Sequence, residues 1–174
     1  MQDEEILAGK KMLIVDDEPD VLETLEEMFS KCLIDKAPSF EAGKKFLERN
    51  TYDVAILDIM GVKGYELLRL ANQKGIPTLM LTAHALNPEN LIRSIREGAR
   101  SYVPKDKLSE LPSFVRDIIE TRHKMADKRK HWFVKLKPFF DRHFGEGWRE
   151  KDREFWKDFD SRHTISKKDL EEMM

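Results

Sequence analysis

Over residues 1–121 the apolar positions follow two alternating rhythms. Short unbroken runs lie at 12–15, 54–57, 78–81 and 102–103, with a weaker one at 32–37. Such unbroken runs are the pattern of strands buried on both faces of a parallel sheet. Between the runs the spacing becomes helical. Val21, Leu22, Leu25, Met28 and Phe29 follow Pro19, a residue suited to the first turn of a helix. Phe40, Lys44 and Leu47, with Phe46 beside them, keep the same period more loosely. Leu67, Leu68 and Ala71 mark a third helix, and Leu91, Ile92 and Ile95, closed by Gly98, a fourth. Leu111, Phe114, Val115, Ile118 and Ile119 mark a fifth. Strand and helix in alternation predict an α/β fold: a three-layer, doubly wound, five-stranded parallel sheet with right-handed crossovers.

The pattern changes after residue 121. Val115, Ile118, Arg122, Met125, Arg129, Trp132 and Leu136 recur in alternating steps of three and four, and Pro138 reads as the stop. One reading is a coiled-coil seam between two copies of the chain. The plainer one is a long amphipathic helix carrying a small aromatic subdomain. Phe155 and Phe159, with Trp156 beside them, predict a second helix that packs back on the first.

Composition sharpens this boundary. Residues 1–121 hold 16 Lys+Arg against 22 Asp+Glu, whereas residues 122–174 hold 15 against 11. All three Trp, six of ten Phe and four of five His also follow residue 121. The chain therefore divides, on sequence, into 1–121 and a helical, aromatic-rich extension at 122–174. In a 174-residue chain that is 40% hydrophobic and 37% charged, wholesale disorder is excluded. No apolar run approaches the roughly 18 residues of a membrane helix. The acidic start MQDEEILAGK lacks an apolar signal core, so a cytoplasmic protein is the simplest reading. Cys32 is the sole cysteine, which rules out an intrachain disulfide and a cysteine-based zinc site.

Polar residues sit where the apolar runs stop: Asp16 and Asp17, Asp58, Thr82, and, past Pro104, Lys105. In an open parallel sheet these ends share one edge, where ligands bind. Three carboxylates there repel one another, by roughly 4 kcal/mol for a pair at 4 Å and an effective dielectric of 20. Lys105 offsets one charge and a hard divalent cation would offset two. Mg²⁺ takes oxygen ligands, keeps waters and leaves room for a phosphate. A carboxylate facing a cation and an ammonium is a candidate nucleophile toward phosphorus, giving an aspartyl phosphate. Taken singly, each of these residues is an ordinary cap or turn residue. What carries the reading is the set of five in this order.

At this point the stretches LIVDDEPD, VAILDIMGVKGYELL, TLMLTAHA and EGARSYVPKD resemble the receiver domain of bacterial two-component response regulators, over about residues 10–121. The resemblance implies a flavodoxin-like receiver fold with Asp58 as phosphoacceptor. It implies that Asp17 and Asp58 bind Mg²⁺ directly, Asp16 mainly through water, and the Met60 carbonyl as a further ligand. Thr82 and Lys105 would contact the phosphoryl group, and Tyr102 would be the aromatic that swings inward when Thr82 moves. The phosphoryl donor would be a sensor histidine kinase, and the chemistry would be limited to self-phosphorylation and slow self-dephosphorylation. The output would run through the fourth helix, fifth strand and fifth helix to a protein partner or a homodimer.

Two departures from that pattern matter. The loop IMGVKG after Asp58 is short and lacks the usual proline. Asp106 stands where proline usually follows the lysine, so a trans peptide and a displaced Lys105 are expected. His84 and Met60 flank the site, and neither is suited to orient an attacking water, so a long-lived phosphoryl group is expected. An aspartate-based phosphatase would want an acid two positions past Asp58, where Met60 stands. A DNA-binding regulator is the alternative output, but residues 122–174 show no helix-turn-helix core. Their positive charge is broken by 11 acidic residues, which favours protein contact or internal packing. Two further patterns are decoys. DFDSRHTISKKD has calcium-loop carboxylates but His163 where the turn needs glycine. His123, His131, His143 and His163 match no ligand spacing.

Overall fold

The computed structural model describes residues 2–122 and 131–163. Its strands are β1 (Lys11–Val15), β2 (Leu33–Ala37), β3 (Val54–Asp58), β4 (Thr78–Thr82) and β5 (Ser101–Pro104). They form one sheet in the order β2-β1-β3-β4-β5, and every pairing is parallel. Met12 to Val15 and all of β3 and β4 are buried, which is why their sequence reads as unbroken apolar runs. β2 is an edge strand, half exposed, and its pattern is correspondingly weaker.

The helices are α1 (Gln2–Leu7), α2 (Pro19–Met28), α3 (Phe40–Arg49), α4 (Gly64–Gln73), α5 (Pro88–Arg96), α6 (Leu111–Thr121), α7 (His131–Phe144) and α8 (Arg153–His163). The strand order reverses between β2 and β3. Right-handed crossovers therefore place α2 on one face of the sheet and α3, α4 and α5 on the other. Local signals fix the helix starts. Ser39 Oγ accepts from Ala42 N and Asn87 Oδ1 accepts from Asn90 N, while Pro19 and Pro88 open α2 and α5. The buried stripe of α3 runs through Gly43 and Leu47 rather than Lys44, because β1 lies so close that a Cβ at Gly43 would press on Val15. α1 has no counterpart in the predicted pattern. It is held by Leu7, which joins the main core.

The core does not stop at residue 121. Trp132, Phe133, Leu136, Phe140, Trp148, Trp156 and Phe159 belong to the same buried cluster as the sheet. The predicted second helix is α8, and it packs back on α7 as expected: Phe133 stacks on Trp156 at 5.1 Å and meets Phe159 edge-on at 5.2 Å. Pro138 is not a stop; it lies inside α7. An interior proline costs a helix roughly 3 kcal/mol. Here burial of Leu136 and Phe140 on either side offsets that cost, and Pro138 itself lies on the exposed side with Val134.

The described residues of the proposed seam are also used within the chain. Val115, Ile118, Trp132 and Leu136 are buried, and Arg122 donates to the carbonyls of Tyr52 and Gly75. Met125 and Arg129 lie outside the described residues. Asp158 to His163 are helical rather than a calcium loop, whose remaining positions lie outside the described residues, as does His123. His131 opens α7, and His143 stacks on Phe139 at 5.6 Å.

Candidate functional site

Parallel strands carry their C-terminal ends to one edge of the sheet, and the fold places Asp58 at the end of the middle strand. Asp16 and Asp17 follow β1, the neighbouring strand, at the point where the strand order reverses. Thr82 ends β4 and Lys105 follows β5. Five residues spread over 90 positions are thus carried to one edge of the sheet by the topology.

Lys105 is the hub. Its Nζ lies 2.9 Å from Asp16 Oδ2, 3.2 Å from Glu18 Oε1 and 3.6 Å from Asp58 Oδ2. The expected displacement of Lys105 does not occur. The described residues contain no cis peptide, yet the ammonium still reaches both aspartates. A 3₁₀ helix from Lys105 to Glu110 starts the return to α6 directly at the lysine, so the trans path keeps its side chain over the pocket.

The pocket is acidic, with a buried floor and an open rim at Asp17 and Glu18. Asp16, at 1% exposure, and Asp58, at 4%, are both buried. Burial, then the charge of Asp16, pushes the Asp58 carboxyl up to about 7, although Lys105 pulls the other way. Asp16 is likewise raised, by burial first, against a hydrogen bond from the Glu18 N–H at 2.9 Å. Lys105 is raised: burial alone would lower it, but the Asp16 hydrogen bond and the Asp58 charge outweigh that. The ligand atoms of Asp16, Asp17 and Glu18 lie within 4.8 Å of one another. Four carboxylates against one ammonium leave the pocket short of positive charge. An all-oxygen donor set of this kind fits a hard divalent cation such as Mg²⁺.

Glycine shapes the loop IMGVKG. Gly61 sits at φ +87°, and a Cβ there would overlap the Asp17 carboxylate. At Gly64 a Cβ would overlap the backbone carbonyl of Asp58. The two glycines let the loop fold tightly over the acids without the missing proline. Met60 stands at the rim, 52% exposed, and His84 is exposed 3.9 Å from Glu18.

Sequence reasoning missed Glu18 as a partner of Lys105. Its place directly after the Asp pair was the available signal. It also missed Ala85. Thr82 Oγ1 accepts from the Ala85 N–H at 2.9 Å, and the Ala85 carbonyl accepts from Tyr102 at 2.6 Å. Tyr102 is fully buried and also accepts from Asn87 N at 3.2 Å, so it points inward here rather than lying exposed on the strand.

Comparison with known proteins converges on one family. The response regulator receiver domain matches residues 12–116. The two-component response regulator ARR18 of Arabidopsis thaliana is 28% identical over 137 residues, 75% of this chain and 20% of that protein. The heme response regulator HssR of Staphylococcus aureus is 38% identical over 99 residues, 53% of this chain and 43% of that protein. The chain thus spans less than half the length of either. Among solved structures, response regulator TrrA of Thermotoga maritima, in complex with Mg²⁺ and a beryllium fluoride, is 32% identical. It has a TM-score of 0.51 and covers 61% of this chain and 98% of its own. A receiver domain from Clostridium thermocellum is 25% identical with a TM-score of 0.59, covering 67% and 99%. With its sheet order and acidic pocket already in place, the chain belongs to the response regulator receiver domain family.

Proposed function

We propose that residues 1–121 form a phosphoacceptor signalling domain that takes a phosphoryl group on Asp58 from the phosphohistidine of a sensor histidine kinase, with residues 122–174 as its helical extension. The observation that carries this reading is the Lys105 ammonium, 2.9 Å from Asp16 and 3.6 Å from Asp58 in one buried pocket. An Asp58 oxygen attacks phosphorus, the O–P bond forms as the P–N bond breaks, and the imidazole nitrogen keeps the electron pair and takes up a proton. Lys105 lies where charge on the phosphoryl oxygens would gather, and the Thr82 hydroxyl still has its proton to donate. Asp16, Asp17, Asp58 and the Met60 carbonyl would hold Mg²⁺. Once bound, the ion supplies positive charge against the transferring group. Burial raises the Asp58 carboxyl to about 7, so a share of it is protonated at neutral pH, and a bound cation would favour the ionised form.

Phosphorylation would bias the face formed by α5, β5 and α6, through which a protein partner or a second copy would be controlled. Neither Met60 nor His84 offers a carboxylate or amide to orient water, so the acyl phosphate persists for minutes or longer. Incubation with acetyl phosphate and Mg²⁺ tests the reading. Wild type gains the mass of one phosphoryl group and Asp58→Asn does not. Uptake by the variant, or unaided loss from wild type within seconds, would count against it. As for the location of such a domain, no described helix is long and apolar enough to cross a membrane, and we place it in the cytoplasm, where such a kinase would present its phosphohistidine.

A further inference from the structure

We propose that the first partner of the phosphorylation-sensitive face is the chain's own segment 131–163, and that its docking and the phosphorylated state of Asp58 stabilise each other through Tyr102. The proposal rests on the phosphoacceptor reading above.

A line of contacts runs from Thr82, at the pocket edge of the sheet, to the extension. Thr82 holds the Ala85 N–H at 2.9 Å, and Tyr102 holds the Ala85 carbonyl at 2.6 Å, so this one residue is fixed at both polar ends. On its other side the Tyr102 ring lies 6.0 Å from that of Phe140. Phe140 is fully buried and in turn touches Phe133, Phe144 and Trp148, at 6.2, 5.4 and 6.3 Å. Tyr102 therefore cannot leave its place without losing two hydrogen bonds and the ring against which α7 is seated.

Cations pin the edges of the same interface. Arg96 of α5 lies over Phe155 at 5.0 Å, Lys107 over Phe139 at 5.8 Å, and Lys135 of α7 over Phe114 of α6 at 5.5 Å. The extension thus touches α5, β5, α6 and the 3₁₀ turn before α6. This is the occupant one expects of a face that reads the pocket.

The sign follows from proton bookkeeping at Thr82. Its oxygen already accepts from Ala85, and its own proton is left to donate to a phosphoryl oxygen. A phosphoryl group would lock Thr82 in the orientation that holds Ala85, and hence Tyr102, beneath Phe140. Because coupling between two sites is reciprocal, a docked α7 must favour the phosphoryl-bearing pocket by the same factor. Couplings of this kind run from about 5-fold to about 150-fold, and we expect roughly 10-fold.

The full chain with Mg²⁺ and beryllofluoride, a phosphoryl mimic, provides the test. Hydrogen exchange by mass spectrometry should slow roughly 10-fold across His131–Phe144 when beryllofluoride binds. Tyr102→Phe keeps the ring and removes the hydroxyl, and should abolish most of that protection. Phe140→Leu, a milder change than truncation, should weaken beryllofluoride binding by a similar factor in calorimetry. Unchanged or faster exchange in α7, or equal binding by wild type and both variants, would overturn the coupling alone. Failure of wild type to bind beryllofluoride would overturn the phosphoacceptor reading, and the coupling with it.

Discussion

At the pocket edge of the sheet, four acidic side chains and one lysine share a space that the strands leave open. On the outer side of β5, rings fill the space instead; at their rim Trp148 Nε1 donates to Asp141 and Arg149 spans both oxygens of Asp160, while Trp156 Nε1 is buried there with no hydrogen-bond partner among the described residues. The first arrangement gathers more negative than positive charge in one place. The second is held by the packing of buried rings. The contrast teaches where stability and where chemistry reside in this molecule, and substitutions in the two regions should act in opposite directions.

The largest effect belongs to the rings. Phe140→Ala should cost about 3–5 kcal/mol, the usual range for emptying a fully buried phenyl site. All three tryptophans lie in the extension, so their fluorescence reports it, while far-UV circular dichroism reports the whole chain. One continuous core predicts that both signals lose structure in one urea transition, in wild type and variant alike. A fluorescence transition well ahead of the circular dichroism would show that the extension unfolds by itself, and the comparison would become one between two domains.

The pocket should respond the other way. The Asp58 carboxyl titrates near 3.8 in the unfolded chain and at about 7 in the fold. Between those values the folded protein holds a proton that the unfolded chain has released. Metal-free protein therefore loses stability as pH rises through this window. Asp58→Asn removes that loss. In EDTA at pH 7.5 the variant should be more stable than wild type by on the order of 2 kcal/mol. That is less than the full shift would give, because Lys105 loses a partner. Near pH 4 the gain should vanish, and Mg²⁺ should stabilise wild type but not the variant. A variant less stable than wild type at pH 7.5 in EDTA would mean that the pocket is held together by Asp58 rather than strained by it.

This contrast also explains what the sequence made legible. Asp16, Asp17, Asp58, Thr82 and Lys105 could be read because parallel topology converts "end of an apolar run" into "one edge of the sheet". The strands could be read because burial on both faces leaves no polar interruption. Glu18 and Ala85 were harder to read: one is marked only by its place after the Asp pair and acts through a side-chain reach of a few ångströms, the other acts through its backbone alone. Pro138 was misread because local propensity was weighed without the burial of Leu136 and Phe140 around it. The composition of the extension announced a boundary at 121, but composition carries no direction. Nothing in the spacing of Phe140 says that it faces Tyr102.

The smallest effect tests the rim. Trp148→Phe keeps an aromatic ring beside Phe144 and Trp156 but deletes the N–H that reaches Asp141 at 2.9 Å. That hydrogen bond, then one from Lys137, holds the Asp141 carboxyl below its ordinary value. Asp141 is exposed, so solvent screens it, and the cost at pH 7 should be only about 0.5–1 kcal/mol. A depressed carboxyl contributes stability above its unfolded value and loses it as pH falls through the folded one. The penalty should therefore be full at pH 7 and shrink below about pH 4, where Asp141 in wild type also takes up its proton. A penalty of the same size at pH 3 and pH 7 would assign the loss to ring shape rather than to the hydrogen bond. The rim would then be as purely a matter of packing as the centre.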